Sequence, residues 1–433
     1  MSGACVQKRL FAAVDCPPQV REHTSSTFAD NMRLPAHRWF RFSAGFSADW
    51  AEHVIRSSSL DPPPRVLDPF AGSGTTLLAA ENAGAESLGV EAHPFLYRIA
   101  RAKLARRGNP VGYLRLASEV LADAKRREVG HLDEYPTLVR KCYGEDVLGK
   151  LDVLRQAVEA VREDTQAWEL AWLTLVAILR KTSHVGTAQW QYILPNKTKR
   201  NPADPFVAFE QLTRQIHDDM VVSAEILGPE AKLVSGDART CQGVPDRFAQ
   251  LVLCSPPYPN NYDYADATRL EMSFFREISG WGDLQHTVRE GLIRSCSQHV
   301  PEKAVDLDEV LSRPEVEPIR SDLSAVCREL AEVRLSHGGK KTYHLMVACY
   351  FLDLANVWKS LHRVCDSPSR TCFVIGDSAP YGVYVPVMEW LGRLAIAAGF
   401  QSYAFEQTRD RNVKWKNRKH RVPLCEGRLW VEG

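Results

Sequence analysis

The sequence lacks several features that would assign it to a large class of proteins. Its 11 cysteines are odd in number and contain no C-x-x-C pair, which argues against a disulfide framework or a zinc site and favours a reducing compartment. No bound metal is therefore expected. The chain begins without a signal-peptide pattern and has no apolar run long enough to cross a bilayer, so we expect a cytoplasmic protein without a membrane partner.

The sequence also lacks a large net charge of either sign. The formal net charge of the 433 residues is only +1, with 45% hydrophobic and 25% charged residues, which is typical of a soluble globular protein. A nucleic-acid partner would therefore have to be held by local basic patches. The length exceeds that of one minimal domain and predicts a core with one or two insertions.

The clearest local pattern comes early in the chain. An apolar strand ends at Asp68, a glycine-rich loop follows, and a helix is predicted over Thr75–Ala83, with Gly84 ending it. A second strand, Ser87–Val90, is closed by Glu91. Strand, glycine turn, helix and strand in this order predict a doubly wound α/β sheet.

Helical and strand-like segments alternate in blocks along the rest of the chain. Residues 110–229 show helical periodicity and form a predicted insertion, a candidate for target recognition, that carries a basic loop at 195–202. Strands at 232–237, 250–254, 371–377 and 400–406, with helices Tyr343–Arg363 and Val385–Ala398, complete the predicted core. The predicted units are an N-terminal extension (1–34), a core (35–109, 230–275 and 342–408), the helical insertion (110–229), a second insertion (276–341) and a basic tail (409–433).

Two loops carry the strongest chemical signal, and the first of them follows the first strand. It has the sequence Asp68-Pro69-Phe70-Ala71-Gly72-Ser73-Gly74-Thr75-Thr76. Its glycines let the backbone turn tightly and approach a ligand, and the helix behind it presents free N–H groups to an anion or carboxylate. Glu91 stands at the end of the next strand, where an acidic side chain can hold ribose hydroxyls. These features indicate a nucleoside cofactor.

The second loop, Ser255-Pro256-Pro257-Tyr258, follows an apolar strand. Its prolines restrict the backbone and remove competing N–H donors. Together the two loops resemble motif I (D-P-F-x-G-S-G-T-T) and motif IV ([D/N/S]-P-P-[Y/F/W]) of the DNA and RNA amino-methyltransferases. The resemblance covers residues 35–105 and 230–275 and, more weakly, 343–406.

This resemblance implies S-adenosylmethionine as cofactor and a mainly parallel seven-stranded sheet flanked by helices. Motif I would bind the methionine part of the cofactor, and Asp237 would lie near its adenine; an Asp that caps the following helix is the alternative for that residue. The stretch around Phe46 loosely resembles motif X, which closes over the methionine end, with core packing as the alternative. The expected cofactor-binding residues are Asp68, Pro69, Phe70, Ala71, Gly72, Ser73, Gly74, Thr75, Glu91, Asp237 and Phe46.

Motif IV implies methyl transfer to an exocyclic amine of a base, a poor nucleophile because its lone pair is delocalised into the ring. Acceptors at Ser255 and at the carbonyl of Pro256 can turn that lone pair out of the ring plane, while Tyr258 can stack on an extruded base. The expected catalytic residues are Ser255, Pro256, Pro257 and Tyr258. Family members that act on cytosine N4 usually carry Ser at the first position, so the resemblance favours cytosine N4. Adenine N6 methylation, RNA base methylation and a binding protein without turnover are the alternatives.

Double-stranded DNA is the expected partner, and its phosphates would be contacted by basic side chains. Three basic clusters are candidates: one in the helical insertion, one after a double glycine and one in the tail. A solvated surface is the alternative for each. The expected DNA-binding residues are Lys197, Lys199, Arg200, Lys340, Lys341 and Arg411. The resemblance makes a cognate restriction or defence system a reasonable context, and the sequence leaves the oligomeric state open.

Overall fold

The computed structural model describes residues 30–42, 45–58, 60–187, 192–198, 201–301, 303, 305–411 and 422–433. In chain order the strands are β1 (Val66–Asp68), β2 (Ser87–Glu91), β3 (Val185–Thr187), β4 (Ile193–Thr198), β5 (Lys232–Ser235), β6 (Ala249–Cys254), β7 (Cys365–Gly376), β8 (Ser402–Arg411) and β9 (Leu424–Glu432).

The α-helices surround these strands. They are α1 (Ala48–Arg56), α2 (Thr75–Ala83), α3 (Pro94–Leu104), α4 (Pro110–Ala124), α5 (Thr137–Cys142), α6 (Glu145–Ala160), α7 (Gln166–Thr182), α8 (Pro205–Ser223), α9 (Tyr264–Ala267), α10 (Arg269–Phe274), α11 (Asp283–Thr287), α12 (Leu307–Ser312), α13 (Arg320–Ser336), α14 (Tyr343–Val364) and α15 (Val387–Ala398). Within the described part of the chain, no helix has the length and apolar character needed to span a membrane.

Seven strands form one sheet in the order β5-β2-β1-β6-β7-β9-β8. The first five run parallel to their neighbours, whereas β9 runs antiparallel to both β7 and β8. This confirms the predicted mainly parallel, seven-stranded α/β sheet. Strands β1 and β6 are direct neighbours, so the loops that follow them leave the sheet at the same edge.

The first strand–helix–strand unit forms as its sequence predicts. Val66, Leu67 and Asp68 are all buried in β1, and α2 ends at Gly84, which has the left-handed φ of 72° that glycine tolerates. Gly89 on β2 allows α2 to lie close to the sheet, because a Cβ there would come within 2.7 Å of the Leu77 side chain. The close approach brings the start of α2 to the sheet edge.

Helices α4, α6, α7 and α8 fill the region between residues 110 and 229, which was expected to be helical. Their buried side chains, such as Tyr113, Trp172 and Phe209, belong to one hydrophobic cluster that also includes residues of α3. Residues 195–202 were expected to form a basic loop, but the first part of this segment belongs to β4, which pairs antiparallel with β3. This hairpin interrupts the helical pattern and was not predicted.

The C-terminal part of the sheet also differs from its prediction. Residues 409–433 were expected to be a basic tail, yet β8 continues to Arg411 and β9 is inserted between β7 and β8. Leu429 and Val431 are fully buried in β9, and Arg428 pairs with Glu406 across the hairpin at 2.8 Å. Basic residues in this segment are thus balanced by carboxylates on the neighbouring strand. In the described part of this segment, residues 409–411 and 424–432 therefore belong to the sheet.

Candidate active site

The loop after β1 is held by hydrogen bonds that mostly stay within motif I. The Asp68 carboxylate accepts the Phe70 N–H at 2.9 Å, and the Gly74 N–H donates to the Ala71 carbonyl at 2.8 Å. Gly72 and Gly74 have φ values of 53° and 89°, in the left-handed region that glycine adopts without strain. The turn brings the loop backbone over the end of β2, where the Ala71 N–H donates to the Val90 carbonyl at 3.0 Å.

Glu91 lies directly against this turn. One of its carboxylate oxygens accepts the Gly72 N–H at 2.6 Å, and the other accepts the His93 N–H at 2.7 Å. Burial outweighs these hydrogen bonds and raises the pKa of Glu91 to about 7. Burial likewise raises the pKa of Asp68 to about 7. The site thus holds two buried carboxyl groups that titrate near neutrality.

The loop after β6 presents the hydroxyl group of Ser255. This hydroxyl donates its proton to the Val374 carbonyl on β7 at 3.0 Å. The Ser255 side chain also hydrogen-bonds to that of Tyr258. Because a serine hydroxyl has one proton and two lone pairs, Ser255 Oγ can accept one further hydrogen bond from another group. Pro259 is tied to the same side of the sheet, since the Ser378 hydroxyl donates to its carbonyl at 2.6 Å.

The two loops meet in one cleft. Ser255 lines this cleft together with motif I residues, and two aromatic side chains that precede motif I close another side of it. The lining residues are Phe42, Gly45, Phe46, Asp68, Phe70, Ala71, Gly72, Ser73, Thr75 and Ser255. Motif I and Ser255, the first residue of motif IV, therefore line a single concave site, whereas Pro256, Pro257 and Tyr258 are not among its lining residues.

A hydroxyl group also joins the two motifs beneath the cleft. Thr76, in the first turn of α2, is fully buried and donates from Oγ1 to the Leu253 carbonyl on β6 at 3.0 Å. The helix that follows motif I is thereby anchored to the strand that precedes motif IV. This bond fixes the spacing between the two loops.

Tyr264, Thr268 and His93 were not among the site residues expected from the sequence. The Tyr264 hydroxyl bonds to the backbone of Tyr258, and the ring of His93 lies 3.0 Å from the Thr268 hydroxyl. Burial lowers the pKa of His93 to about 4, so its imidazole is neutral at physiological pH. Helix α9 is thus docked on the loop after β2, next to Glu91. The local signal was Asp263, whose carboxylate caps α9 by accepting the Ala265 N–H at 3.1 Å.

Asp237 follows β5, but its carboxylate is already paired. Arg239 approaches it through Nε at 2.8 Å and Nη2 at 2.7 Å, and the same guanidinium lies 3.4 Å from Asp353 on α14. The helix-capping alternative does not apply, because turns and not a helix follow Asp237. A role beside the cofactor adenine remains a prediction.

One buried group has donor types that could suit a metal ion. Asp263, Cys296 and His299 bring their ligand atoms within 4.8 Å of one another. However, Arg289 pairs with Asp263 at 2.7 Å. Burial alone would raise the pKa of Asp263, but hydrogen bonds from His299 and Arg289 outweigh burial and lower it to about 2. A guanidinium already neutralises this carboxylate, so the cluster is explained as an ion-pair network.

The residues predicted to contact DNA have different surroundings. Lys197 on β4 and Lys340 are exposed, and Lys341 is half-buried. Arg411, the last residue of β8, instead lies over the ring of Tyr258, with its Cζ 5.3 Å from the ring centroid. Lys199 and Arg200 lie outside the described residues.

Comparison with known proteins identifies related sequences. Residues 8–102 match the N6_N4_Mtase family model, described as DNA methylase. The chain is 23% identical over 406 residues to the Type II methyltransferase M.AvaI of Nostoc sp. (strain PCC 7120 / SAG 25.82 / UTEX 2576), over 86% of this chain and 81% of that protein. M.AvaI of Anabaena variabilis gives the same values. The Type II methyltransferase M.BsoBI of Geobacillus stearothermophilus is 20% identical over 450 residues, which cover 92% of this chain and 86% of that protein.

These relatives span nearly the whole chain and not only the region of motif I. No solved structure gives a significant match to the chain. The comparisons confirm the resemblance that motifs I and IV suggest.

Proposed function

We propose that this chain, an amino-methyltransferase of the N4/N6 family of DNA methylases, transfers a methyl group from S-adenosylmethionine to the N4 amine of cytosine in double-stranded DNA. The target base would first be turned out of the duplex, since an amine stacked within the duplex cannot otherwise reach the cleft. One observation carries the proposal: the motif I turn and the Ser255 hydroxyl line the same cleft.

The residues around the motif I turn suit S-adenosylmethionine. Gly72 and Gly74 leave the loop backbone open to close approach, and the N-terminus of α2 favours the carboxylate of the methionine part. The carboxylate of Glu91, at the end of β2, suits the ribose hydroxyls. Phe46 and Phe70 line the cleft and suit the apolar parts of the cofactor, while Asp237 is proposed to lie near the adenine.

Ser255 is proposed to orient the amine of the target base. Its proton is directed to the Val374 carbonyl, so its oxygen can accept from the exocyclic N–H and turn the nitrogen lone pair toward the methyl donor. S-adenosylmethionine, which the motif I loop and Glu91 would hold, would supply a sulfonium methyl group to the nitrogen and would keep the electron pair of the broken carbon–sulfur bond on sulfur. The methylated nitrogen then releases a proton to water. This proton release requires no strong base. Positioning and exclusion of water carry the rate increase.

Tyr258 is proposed to stack on the extruded base, a contact worth about 1–3 kcal/mol. The carbonyl of Pro256 is proposed as the second acceptor for the amine, while Pro256 and Pro257 restrict the backbone of the loop.

The exposed Lys197 and Lys340 and the half-buried Lys341 are proposed to hold DNA phosphates. Lys197 lies on the β3–β4 hairpin, and Lys340 and Lys341 follow Gly338 and Gly339, which both have positive φ. Phosphate contact is also proposed for Lys199 and Arg200, which follow β4 in the sequence. Since the relatives are Type II methyltransferases, a restriction–modification system is the proposed biological context.

The test is to incubate the purified protein with labelled S-adenosylmethionine and mixed duplex DNA, to digest the DNA to nucleosides and to identify the modified one by mass spectrometry. We expect N4-methylcytosine. N6-methyladenine would replace the cytosine assignment with the adenine one, label on RNA alone would overturn the DNA assignment, and no label at all would favour a binding protein.

The variant Ser255→Ala tests the proposed role of the Ser255 hydroxyl group. We expect its transfer rate to fall by about 100-fold or more, comparable to the loss of one oriented hydrogen-bonding group in an active site, while its affinity for S-adenosylmethionine is retained in calorimetry. Ser118→Ala is the control, because that exposed hydroxyl bonds only within α4, to the Leu114 carbonyl. Equal rates for the two variants would contradict the role of Ser255.

A further inference from the structure

Arg411 covers one face of the motif IV tyrosine. Its guanidinium carbon lies 5.3 Å from the centroid of the Tyr258 ring, within the range of a cation–π contact. The residue lies at the end of β8, more than 150 positions from Tyr258 in the sequence. Nothing in the local pattern around either residue predicts this contact.

The guanidinium is held in place by strand β7 and strand β9. Its Nη1 donates to the Asp377 carbonyl at 2.7 Å, and its Nε lies 3.7 Å from the buried carboxylate of Glu426. Gly376 leaves the space that Arg411 occupies, because a Cβ there would lie 3.1 Å from Nη1. Several groups from two strands thus define one position for this side chain.

This placement does not suit a DNA phosphate contact. The side chain of Arg411 is only 18% exposed, and Glu426 offsets its charge. Phosphate contacts, by contrast, require a cation that can reach the backbone of the duplex. Lys197 and Lys340 meet that requirement because they are exposed, whereas Arg411 faces the catalytic loop.

We propose that Arg411 is a positioning residue that sets the tilt of the Tyr258 ring, leaving the opposite face of the ring to stack on the target base. This inference rests on the proposed function of Tyr258. A planar guanidinium lies flat against an aromatic ring in a way that a lysine ammonium does not. The role therefore depends on the shape of the Arg411 side chain and not only on its charge.

Arg411→Lys separates positioning from phosphate binding, because it keeps the charge and removes the planar group. We expect its kcat for methyl transfer to fall about tenfold, in line with a partly buried cation–π contact, with its KM for DNA changed by less than about threefold. The slope of log affinity against log salt should equal that of the parent for both Arg411→Lys and Arg411→Ala. A parent-like kcat for Arg411→Lys, or a slope reduced by about one in Arg411→Ala, would overturn the proposal.

Arg409→Ala is the matched control. Arg409 pairs with the same Glu426 at 2.6 Å but is 45% exposed, so its loss should lower kcat much less than the loss of Arg411. Equal losses in the two variants would mean that the hairpin acts only through its overall stability.

A double-mutant cycle gives the decisive measurement. In a Tyr258→Ala background, Arg411→Lys should have almost no further effect on kcat, since the ring that it positions is gone. Fully additive effects would overturn the proposal. If the parent protein binds DNA but transfers no methyl group, the proposed function fails, and the salt slopes still decide whether Arg411 contacts phosphate.

Discussion

The two loops of the cleft are built in different ways. The motif I loop bonds to itself and to the next strand: Phe70 to Asp68 two positions away, and Gly72 to Glu91 19 positions away. The motif IV loop is held from far along the chain, since Ser255 and Pro259 each bond to a partner 119 positions away. Apart from the bond from Thr76 to Leu253, the motif I loop, proposed as the cofactor side of the cleft, is therefore a local structure. The motif IV loop, proposed as the substrate side, depends on the tertiary fold.

This difference implies that binding and transfer can be separated by mutation. Changes around Glu91 should alter affinity for the cofactor, while changes to the groups that hold motif IV should alter the transfer step. The pKa values of two buried carboxyl groups, one near each loop, are also shifted in opposite directions. Burial raises the pKa of Glu91, whereas hydrogen bonds from His299 and Arg289 lower the pKa of Asp263.

The largest expected effect concerns stability without cofactor as a function of pH. The pKa of Glu91 rises from 4.5 to about 7 on folding, so the folded protein holds a proton that the unfolded chain loses first. The contribution of this group is complete below pH 4.5 and is lost as pH rises to about 7, by at most about 3 kcal/mol. Glu91→Gln should flatten this decline when unfolding midpoints are compared between pH 5 and pH 8.

Glu86→Gln is the control for that measurement, since the Glu86 side chain is 43% exposed. A decline that is as steep in Glu91→Gln as in the parent would show that another group causes it. Asp68, whose pKa burial also raises to about 7, would then be the first candidate, and Glu91 would not carry the pH dependence.

A second effect, of about 2 kcal/mol, is expected on cofactor binding. Glu91→Gln removes the charge that would accept ribose hydroxyls, and hydrogen bonds to charged groups contribute about 1.5–3 kcal/mol. We expect the Kd for S-adenosylmethionine, measured by calorimetry at pH 8, to rise about 30-fold. Affinity for DNA should stay unchanged. A loss of DNA affinity equal to the loss of cofactor affinity would remove the distinction between the two sides.

The smallest effect is expected for a residue that holds the motif IV loop in place through a hydrogen bond. Ser378→Ala removes the hydrogen bond to the Pro259 carbonyl, which is worth about 1 kcal/mol, and kcat should fall about fivefold with cofactor Kd unchanged. Ser336→Ala is the control, because its exposed hydroxyl bonds to the Val333 carbonyl and to the ring of the adjacent His337 and to no residue of either motif. Weaker cofactor binding in Ser378→Ala would indicate that the two loops act as one unit.

Much of the core could be predicted because its signals are local. The apolar strand β1, the glycine turn and α2 follow one another in sequence, and each fits its neighbour in the structure. The last part of β8 and all of β9 were missed because basic residues such as Arg409, Arg411 and Arg428 indicate a solvated tail. Only pairing with Glu406 and Glu426 on the neighbouring strand makes those charges compatible with a sheet.

The sequence by itself determined the α/β core and picked out the two loops that line the cleft, because hydrophobic periodicity and glycine turns act over short stretches of chain. Only the tertiary structure decided that Arg411 lies on Tyr258, that Val374 takes the Ser255 proton, and that α9 rests beside Glu91. Such contacts join residues whose separation in the chain carries no periodic signal, so they arise only when the sheet order brings distant strands to one edge.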